Sequence, residues 1–137
     1  EEARASGAEC LVGGDVRDGV VQPTVVVKAG PDLKVNNQEI FAPVVTVQTY
    51  GSYDEALRAV NNSDFGLQAG VFTNDVRRIF QAYEELEVGG VMVNEVPTWR
   101  IDPMPYGGVK HSGFGREGLK YAIEEMTEPK LLVMNLS

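Results

Sequence analysis

Runs rich in β-branched residues alternate along this chain with stretches whose apolar positions recur every three or four residues. That alternation restricts the fold more than any other feature. Val20 to Val27 (VVQPTVVV) and Val44 to Tyr50 (VVTVQTY) carry stiff side chains suited to a pleated surface and read as strands. Ser52-Tyr53-Asp54-Glu55 forms a capping box, the serine hydroxyl accepting a first-turn amide while Glu55 reaches back. A helix should follow through Ala59 and end near Asn61. Leu67 to Thr73 (LQAGVFT) is the next strand. Asp75 then caps a helix with Val76, Ile79, Phe80, Tyr83 and Leu86 on one face. Gly89 and Gly90 end it before Val91-Met92-Val93, a short buried strand. One more helix, Glu117 to about Met126, leads through Pro129 into a strand, LLVMNL. Strands alternating with amphipathic helices imply an α/β fold: a three-layer open, largely parallel sheet with flanking helices.

The start of the chain is less usual. EEARASGAECLVGG opens without methionine; Glu1 to Ser6 are compatible with the last turn of a helix, Gly7 with its cap, and an apolar strand-like run follows. The expectation is a piece of something longer.

Length and charge narrow the function classes. The 137 residues suit one compact domain, and 43% hydrophobic content suffices for a sizeable core. A net charge of −8 argues against nucleic acid as a partner, since phosphate tracking needs a positive face. No apolar run is long enough for a membrane span, and no signal peptide is visible. The single cysteine rules out an internal disulfide and favours a cytoplasmic setting. Two glycosylation sequons, Asn61-Asn62-Ser63 and Asn135-Leu136-Ser137, are then chance matches.

Ligands of α/β sheets gather beyond the carboxyl ends of the strands, and the long irregular stretch from Asn94 to about Phe114 follows such a strand. Gly113, Gly115 and Gly118 in HSGFGREG have the G-x-G-x-x-G spacing of a dinucleotide fingerprint. That motif must follow a strand directly, so that helix N-terminal amides meet the pyrophosphate. Here MPYGGVKHS precedes it, and the acidic residue expected about twenty positions on falls at the chain's end. The glycines read as structural, allowing tight turns and close backbone approach. Cys10, between Glu9 and Leu11-Val12, reads as a buried structural cysteine, and His111 as an exposed loop residue. No metal-ligand spacing of Cys and His occurs. In Glu39-Ile40-Phe41-Ala42-Pro43, extended geometry points Glu39 and Phe41 to the same side. A carboxylate beside an aromatic suits a sugar attached to a flat heterocycle. Local sequence alone favours a solvated glutamate and a core phenylalanine.

QEIFAPVVTV, NNSDFGLQAGVFTND, VGGVMVNEVPTWR, MPYGGVKHSGFGREG and EEMTEPKLLVMNL occur in this order across essentially all of the chain. Together they resemble the C-terminal part of the catalytic domain of the aldehyde dehydrogenase superfamily. The resemblance implies oxidation of an aldehyde to a carboxylic acid with NAD or NADP, through a cysteine thiohemiacetal and hydride transfer. It implies that Glu39 accepts hydrogen bonds from the nicotinamide ribose and that Phe41 packs beside the nicotinamide. Ala42 stands where many members have glycine. Asn94 and the loop after it resemble the lining of the aldehyde tunnel: Tyr106 closes the pocket, and Trp99 and Arg100 lie where substrates differ. Arg100 is either a partner for a carboxylate or phosphate on the aldehyde or an exposed loop arginine. VPTWR…MPYGGVK is similar to members acting on small hydroxyaldehydes of the lactaldehyde or glyceraldehyde type. The family's nucleophile, general base and Rossmann domain lie outside this stretch, so no catalytic residue is assigned, and the isolated chain is expected to be inactive. Residues 1–128 would belong to the catalytic domain and 129–137 to an oligomerisation strand that joins a neighbouring subunit, making a homo-oligomer. The rival expectation is a non-catalytic oligomerisation or regulatory module.

Overall fold

The computed structural model describes residues 1–136, which divide into two compact units, Glu1–Ala56 and Leu57 onward. In the first unit, helix α1 (Glu2–Ala5) ends as its sequence suggests. Gly7 takes a φ of +88°, and the N–H groups of Gly7 and Ala8 return to the carbonyls of Arg4 and Ala3. This double closure satisfies carbonyls that the last helical turn would otherwise leave open.

Strand β1 (Glu9–Val12) follows, then the small hairpin β2 (Val16–Arg17) and β3 (Val20–Val21), strand β4 (Thr24–Val27), helix α2 (Lys34–Asn37) and strand β5 (Val44–Val47). The expected strand Val20–Val27 is two strands, because Pro23 has no N–H for a ladder. β4 is central: it pairs antiparallel with β1 and in parallel with β5, in the register Thr24 to Val44 through Val27 to Val47. Thr24 is buried yet satisfied, its hydroxyl donating to the Gln22 carbonyl at 2.7 Å and accepting from Gly14 at 2.9 Å. Ala8, Val26 and Ala29 form the core, with Ala3, Cys10, Leu33, Val35 and Val44 packed around it. Helix α3 (Tyr53–Asn61) starts as the sequence predicts, with one change. Glu55 donates its N–H to the Ser52 hydroxyl at 3.2 Å, but its carboxylate reaches Gly51 N–H at 2.7 Å rather than Ser52.

The second unit contains β6 (Phe65–Gly66), β7 (Gln68–Val71), helix α4 (Val76–Glu85), β8 (Gly90–Val93), β9 (Val109–Lys110) and helix α5 (Leu119–Met126). β7 and β8 pair in parallel around α4, while β6 and β9 pair antiparallel. Asp75 caps α4, accepting the N–H of Arg77 at 2.9 Å. The helix stops at Leu86, which is extended, and Gly90 opens β8 rather than ending α4. Val91-Met92-Val93 is only partly buried. Among the α4 positions expected on one apolar face, Phe80 and Tyr83 are exposed, and the deepest residue of the helix is Ala82.

The expected single, largely parallel three-layer sheet is not what forms. The described residues make one three-stranded and three two-stranded sheets. Only β4–β5 and β7–β8 are parallel. Periodicity identifies element types, and a helical crossover makes its two flanking strands parallel. Whether such pairs merge into one sheet depends on strand edges, which local sequence does not encode. The sizeable core expected from composition is also absent among the described residues, where the buried apolar residues are Ala8, Val26, Ala29, Leu57, Ala82 and Leu86. Residues 127–136 carry neither helix nor strand, so LLVMNL forms no ladder here, and Leu131, Leu132, Val133, Met134 and Leu136 are exposed. The second sequon and the proposed 129–137 segment both end on Ser137, outside the described residues. No helix among the described residues is long and apolar enough to cross a membrane.

Candidate cofactor and aldehyde site

In the first unit, α2 ends at an extended Gln38, and the chain stays irregular to Pro43. Thr24 N–H donates to the Pro43 carbonyl at 2.8 Å, fixing the end of this segment to the start of β4. Glu39 and Ile40 line an open cleft of about 590 Å³, to which Arg4, Cys10 and Lys34 also contribute. The Glu39 side chain is exposed and makes no hydrogen bond or ion pair among the described residues. Phe41 is 95% exposed, which overturns the reading of a core phenylalanine, and it is not among the residues lining the cleft. The segment therefore offers two carboxylate oxygens free to accept a diol's hydroxyls, and an aromatic face free to take a flat ring.

Cys10 lies in β1, half-buried against the core, and its thiol is free. It is thus less buried than expected, since it also lines the cleft. His111 is exposed, its ring edge-on to Phe65. Among the described residues no group of three or more His, Cys, Asp or Glu side chains is placed to hold a metal.

The glycine-rich turn behaves as a structural element. Gly113, Gly115 and Gly118 have φ values of +125°, +73° and +119°, a region that glycine enters without cost. A two-residue strand, β9, does precede it, contrary to expectation, but pairs only with β6. Arg116 N–H, the amide just after Gly115, donates to a Glu125 carboxylate oxygen at 3.3 Å. A carboxylate thus stands where a pyrophosphate would need bare amides, so the residues fit the nucleoside end of a dinucleotide and not its phosphates.

The second unit gathers the other candidates in the loop after β8. Asn94 has a φ of +55°, which asparagine tolerates. Its N–H donates to the Val71 carbonyl at 2.8 Å, and its side-chain oxygen accepts Thr73 N–H at 2.9 Å. Asn94 therefore joins the ends of β7 and β8. Trp99 is exposed, with its N–H on the Val96 carbonyl and its own carbonyl accepting from Gln68. The Arg100 guanidinium carbon lies 4.4 Å from the centre of the Tyr106 ring, a cation–π arrangement. Its Nη2 lies 2.9 Å from a Glu117 carboxylate oxygen, an ion pair. Arg100 is thus an exposed loop arginine that already has a counter-ion and an aromatic support within the chain. Tyr106 and Glu117 are joined by two backbone hydrogen bonds, Tyr106 N–H to Glu117 carbonyl at 3.1 Å and the reverse at 2.6 Å. Arg100, Tyr106 and Glu117 are brought together, while Asn94 is occupied with the sheet.

Two residues were beyond the sequence reading. Glu117 lies seventeen positions from Arg100, and only the looped geometry reveals the pairing. Lys110 has a φ of +55°, and its ammonium donates to the carbonyls of Asn61 at 2.8 Å and Ser63 at 3.1 Å while pairing with Glu87 at 2.8 Å. The available signal was a lone lysine amid glycines, opposite the carbonyl-rich end of a helix. Asn61 itself donates to the Glu85 carbonyl and accepts from Glu87 N–H, so its side-chain amide is engaged through both nitrogen and oxygen.

A family model described as "Aldehyde dehydrogenase family" matches residues 1–132. The 3-sulfolactaldehyde dehydrogenase of Priestia aryabhattai is 50% identical over 99% of this chain. The lactaldehyde dehydrogenase of Methanococcus aeolicus is 45% identical over 94%. Each of these relatives is covered over only 28% of its own length. Aldehyde dehydrogenase 21 of Physcomitrella patens, solved with the reaction product succinate, superposes with a TM-score of 0.93 at 44% identity, over 97% of this chain and 28% of that one. A glyceraldehyde-3-phosphate dehydrogenase of Methanocaldococcus jannaschii, solved with NADP, gives a TM-score of 0.85 at 38% identity, over 91% of this chain and 27% of that one.

Proposed function

Because the chain belongs to the aldehyde dehydrogenase family, we propose that it forms the nicotinamide-orienting and aldehyde-lining part of an NAD(P)-dependent enzyme. The reaction is oxidation of a short aldehyde with a hydroxylated or anionic tail to the carboxylic acid. The order of the motifs around Glu39, Asn94 and Gly115 supports its assignment to the C-terminal part of the catalytic domain, with nucleophile, general base and dinucleotide-phosphate site supplied by other residues of a longer protein. Sequencing the reading frame on both sides of this stretch tests that assignment. A nucleophilic cysteine encoded downstream rather than upstream overturns it.

The dinucleotide, when bound, supplies the hydride acceptor. Glu39 would accept the ribose hydroxyls and Phe41 would flank the nicotinamide, and both would restrict the motion of the ring. Asn94 holds the loop that follows β8, and Tyr106 packs beneath Arg100 at the tail end of the aldehyde. Trp99, next to Arg100, lines the same region.

The observation that carries the substrate reading is the Arg100 guanidinium seated over Tyr106. A planar cation held on an aromatic face suits a carboxylate or sulfonate. The relatives named for sulfolactaldehyde and lactaldehyde, and the neighbour solved with succinate, support a short, polar tail. In the full-length enzyme, Arg100→Gln should lower kcat/KM for a carboxylate- or sulfonate-bearing aldehyde about tenfold or more relative to a neutral aldehyde. An equal loss for both overturns the assignment. The isolated chain should show no turnover with aldehyde and NAD or NADP.

Residues 129–137 are read as an oligomerisation strand, supported by the exposed apolar side chains from Leu131 to Leu136. Removing them from the full-length enzyme should lower its mass by light scattering. An unchanged assembly rejects that role.

A further inference from the structure

We infer that Glu117 is a specificity-determining residue, a built-in counter-ion of Arg100 that favours singly charged aldehyde tails over doubly charged ones. The inference rests on the reading of Arg100 as the anchor of an anionic tail. Its observations are independent of any relative. Glu117 approaches the Arg100 Nη2 at 2.9 Å. Its backbone is anchored beside the pair, because its N–H and carbonyl both bond to Tyr106, whose ring supports the same guanidinium. Immediately after it, Gly118 turns with a φ of +119°, and a Cβ there would come to 2.9 Å from the Met104 carbonyl oxygen. Arg116, the cation next to Glu117 in sequence, is committed elsewhere, its Nη1 donating to the carbonyls of Gly108 and Gly115 at 3.0 and 2.7 Å.

Arginine presents its donors as a rigid planar fork. Glu117 takes Nη2, and Tyr106 covers one face, so an incoming anion meets the remaining edge with a carboxylate already beside it. Repulsion between that carboxylate and the tail grows in proportion to the tail's charge. A sulfonate or carboxylate carries one negative charge, whereas a phosphate monoester carries nearly two at neutral pH. The Arg100 and Glu117 side chains are 41% and 64% exposed, so solvent screens the effect, and a discrimination of about fivefold is expected.

The experiment uses the full-length enzyme and three aldehydes: succinic semialdehyde, glyceraldehyde 3-phosphate and a neutral reference such as propionaldehyde. Glu117→Gln should raise the ratio of kcat/KM for the phosphate over the carboxylate aldehyde about fivefold, expressed in KM rather than kcat. Glu117→Asp keeps the charge and should stay close to the parent ratio. A ratio that does not move in Glu117→Gln overturns the inference, including the case in which all three aldehydes lose kcat alike, the mark of a merely structural residue. Arg100→Gln separates the two readings. If it removes the preference for charged tails while Glu117→Gln leaves the ratio fixed, only the counter-ion role falls; if Arg100→Gln is indifferent to tail charge, the anchor itself falls.

Discussion

The side-chain oxygen of Asn94 accepts the N–H of Thr73 at 2.9 Å, so a residue at the exit of β8 secures the exit of β7. The same residue holds a left-handed backbone, with a φ of +55°. Asn94→Gly keeps the backbone and loses the bond, and should cost about 1 kcal/mol. Asn94→Leu loses both and should cost about 2 to 3 kcal/mol. Urea unfolding of the chain reads the difference, and equal costs would show that the backbone conformation matters little.

Lys110 closes the end of α3. Its side chain is 23% exposed, and its ammonium contacts the Asn61 and Ser63 carbonyls and the Glu87 carboxylate. Lys110→Met should destabilise by about 2 kcal/mol, because two carbonyls lose a charged donor and Glu87 loses its partner. Hydrogen exchange at the carboxyl end of α3 should accelerate in this variant. Unchanged protection there would mean that water replaces the ammonium.

Two glycines should respond in opposite ways to the same methyl group. A Cβ on Gly89 would overlap the Gly107 carbonyl oxygen, whereas one on Gly30 meets nothing within 4 Å. Gly89→Ala should cost about 3 kcal/mol, since backbone must move. Gly30→Ala, at a residue already restrained by Pro31, should be neutral or stabilise by about 0.5 kcal/mol. Thermal unfolding of the two variants side by side checks the contrast.

Exposed apolar side chains predict a further behaviour. Phe80 and Tyr83 on α4 and Leu131, Leu132 and Val133 near the carboxyl end are open to solvent, while few apolar residues are buried. The chain in isolation should bind a hydrophobic dye and self-associate with increasing concentration. In the full-length enzyme the dye signal per mole should fall severalfold. Equal dye binding would mean that these faces stay uncovered there.

Much of the local structure was legible in the sequence. Gly7 as a helix terminator, Asp75 as a cap and the extent of α3 all follow from short-range chemistry, and all appear in the structure. Sheet organisation was not legible, because pairing between β1 and β4 or between β6 and β9 joins segments whose mutual approach no local pattern encodes. The candidate site divides in the same way. Arg100 and Tyr106 were visible as residue types in a long loop after a strand. Their stacking, and the carboxylate that Glu117 brings from just before α5, depend on a turn through several glycines. Phe41 shows the converse limit: aromatic character suggests a core, yet its ring points to solvent.

Trp99 is the sole tryptophan in these residues and directly precedes Arg100, with its backbone held by Val96 and Gln68. An indole's emission shifts with the electric field across its ring. Charge arriving at or leaving the neighbouring guanidinium therefore writes itself into the light this loop emits, which makes the stretch its own optical gauge of occupancy.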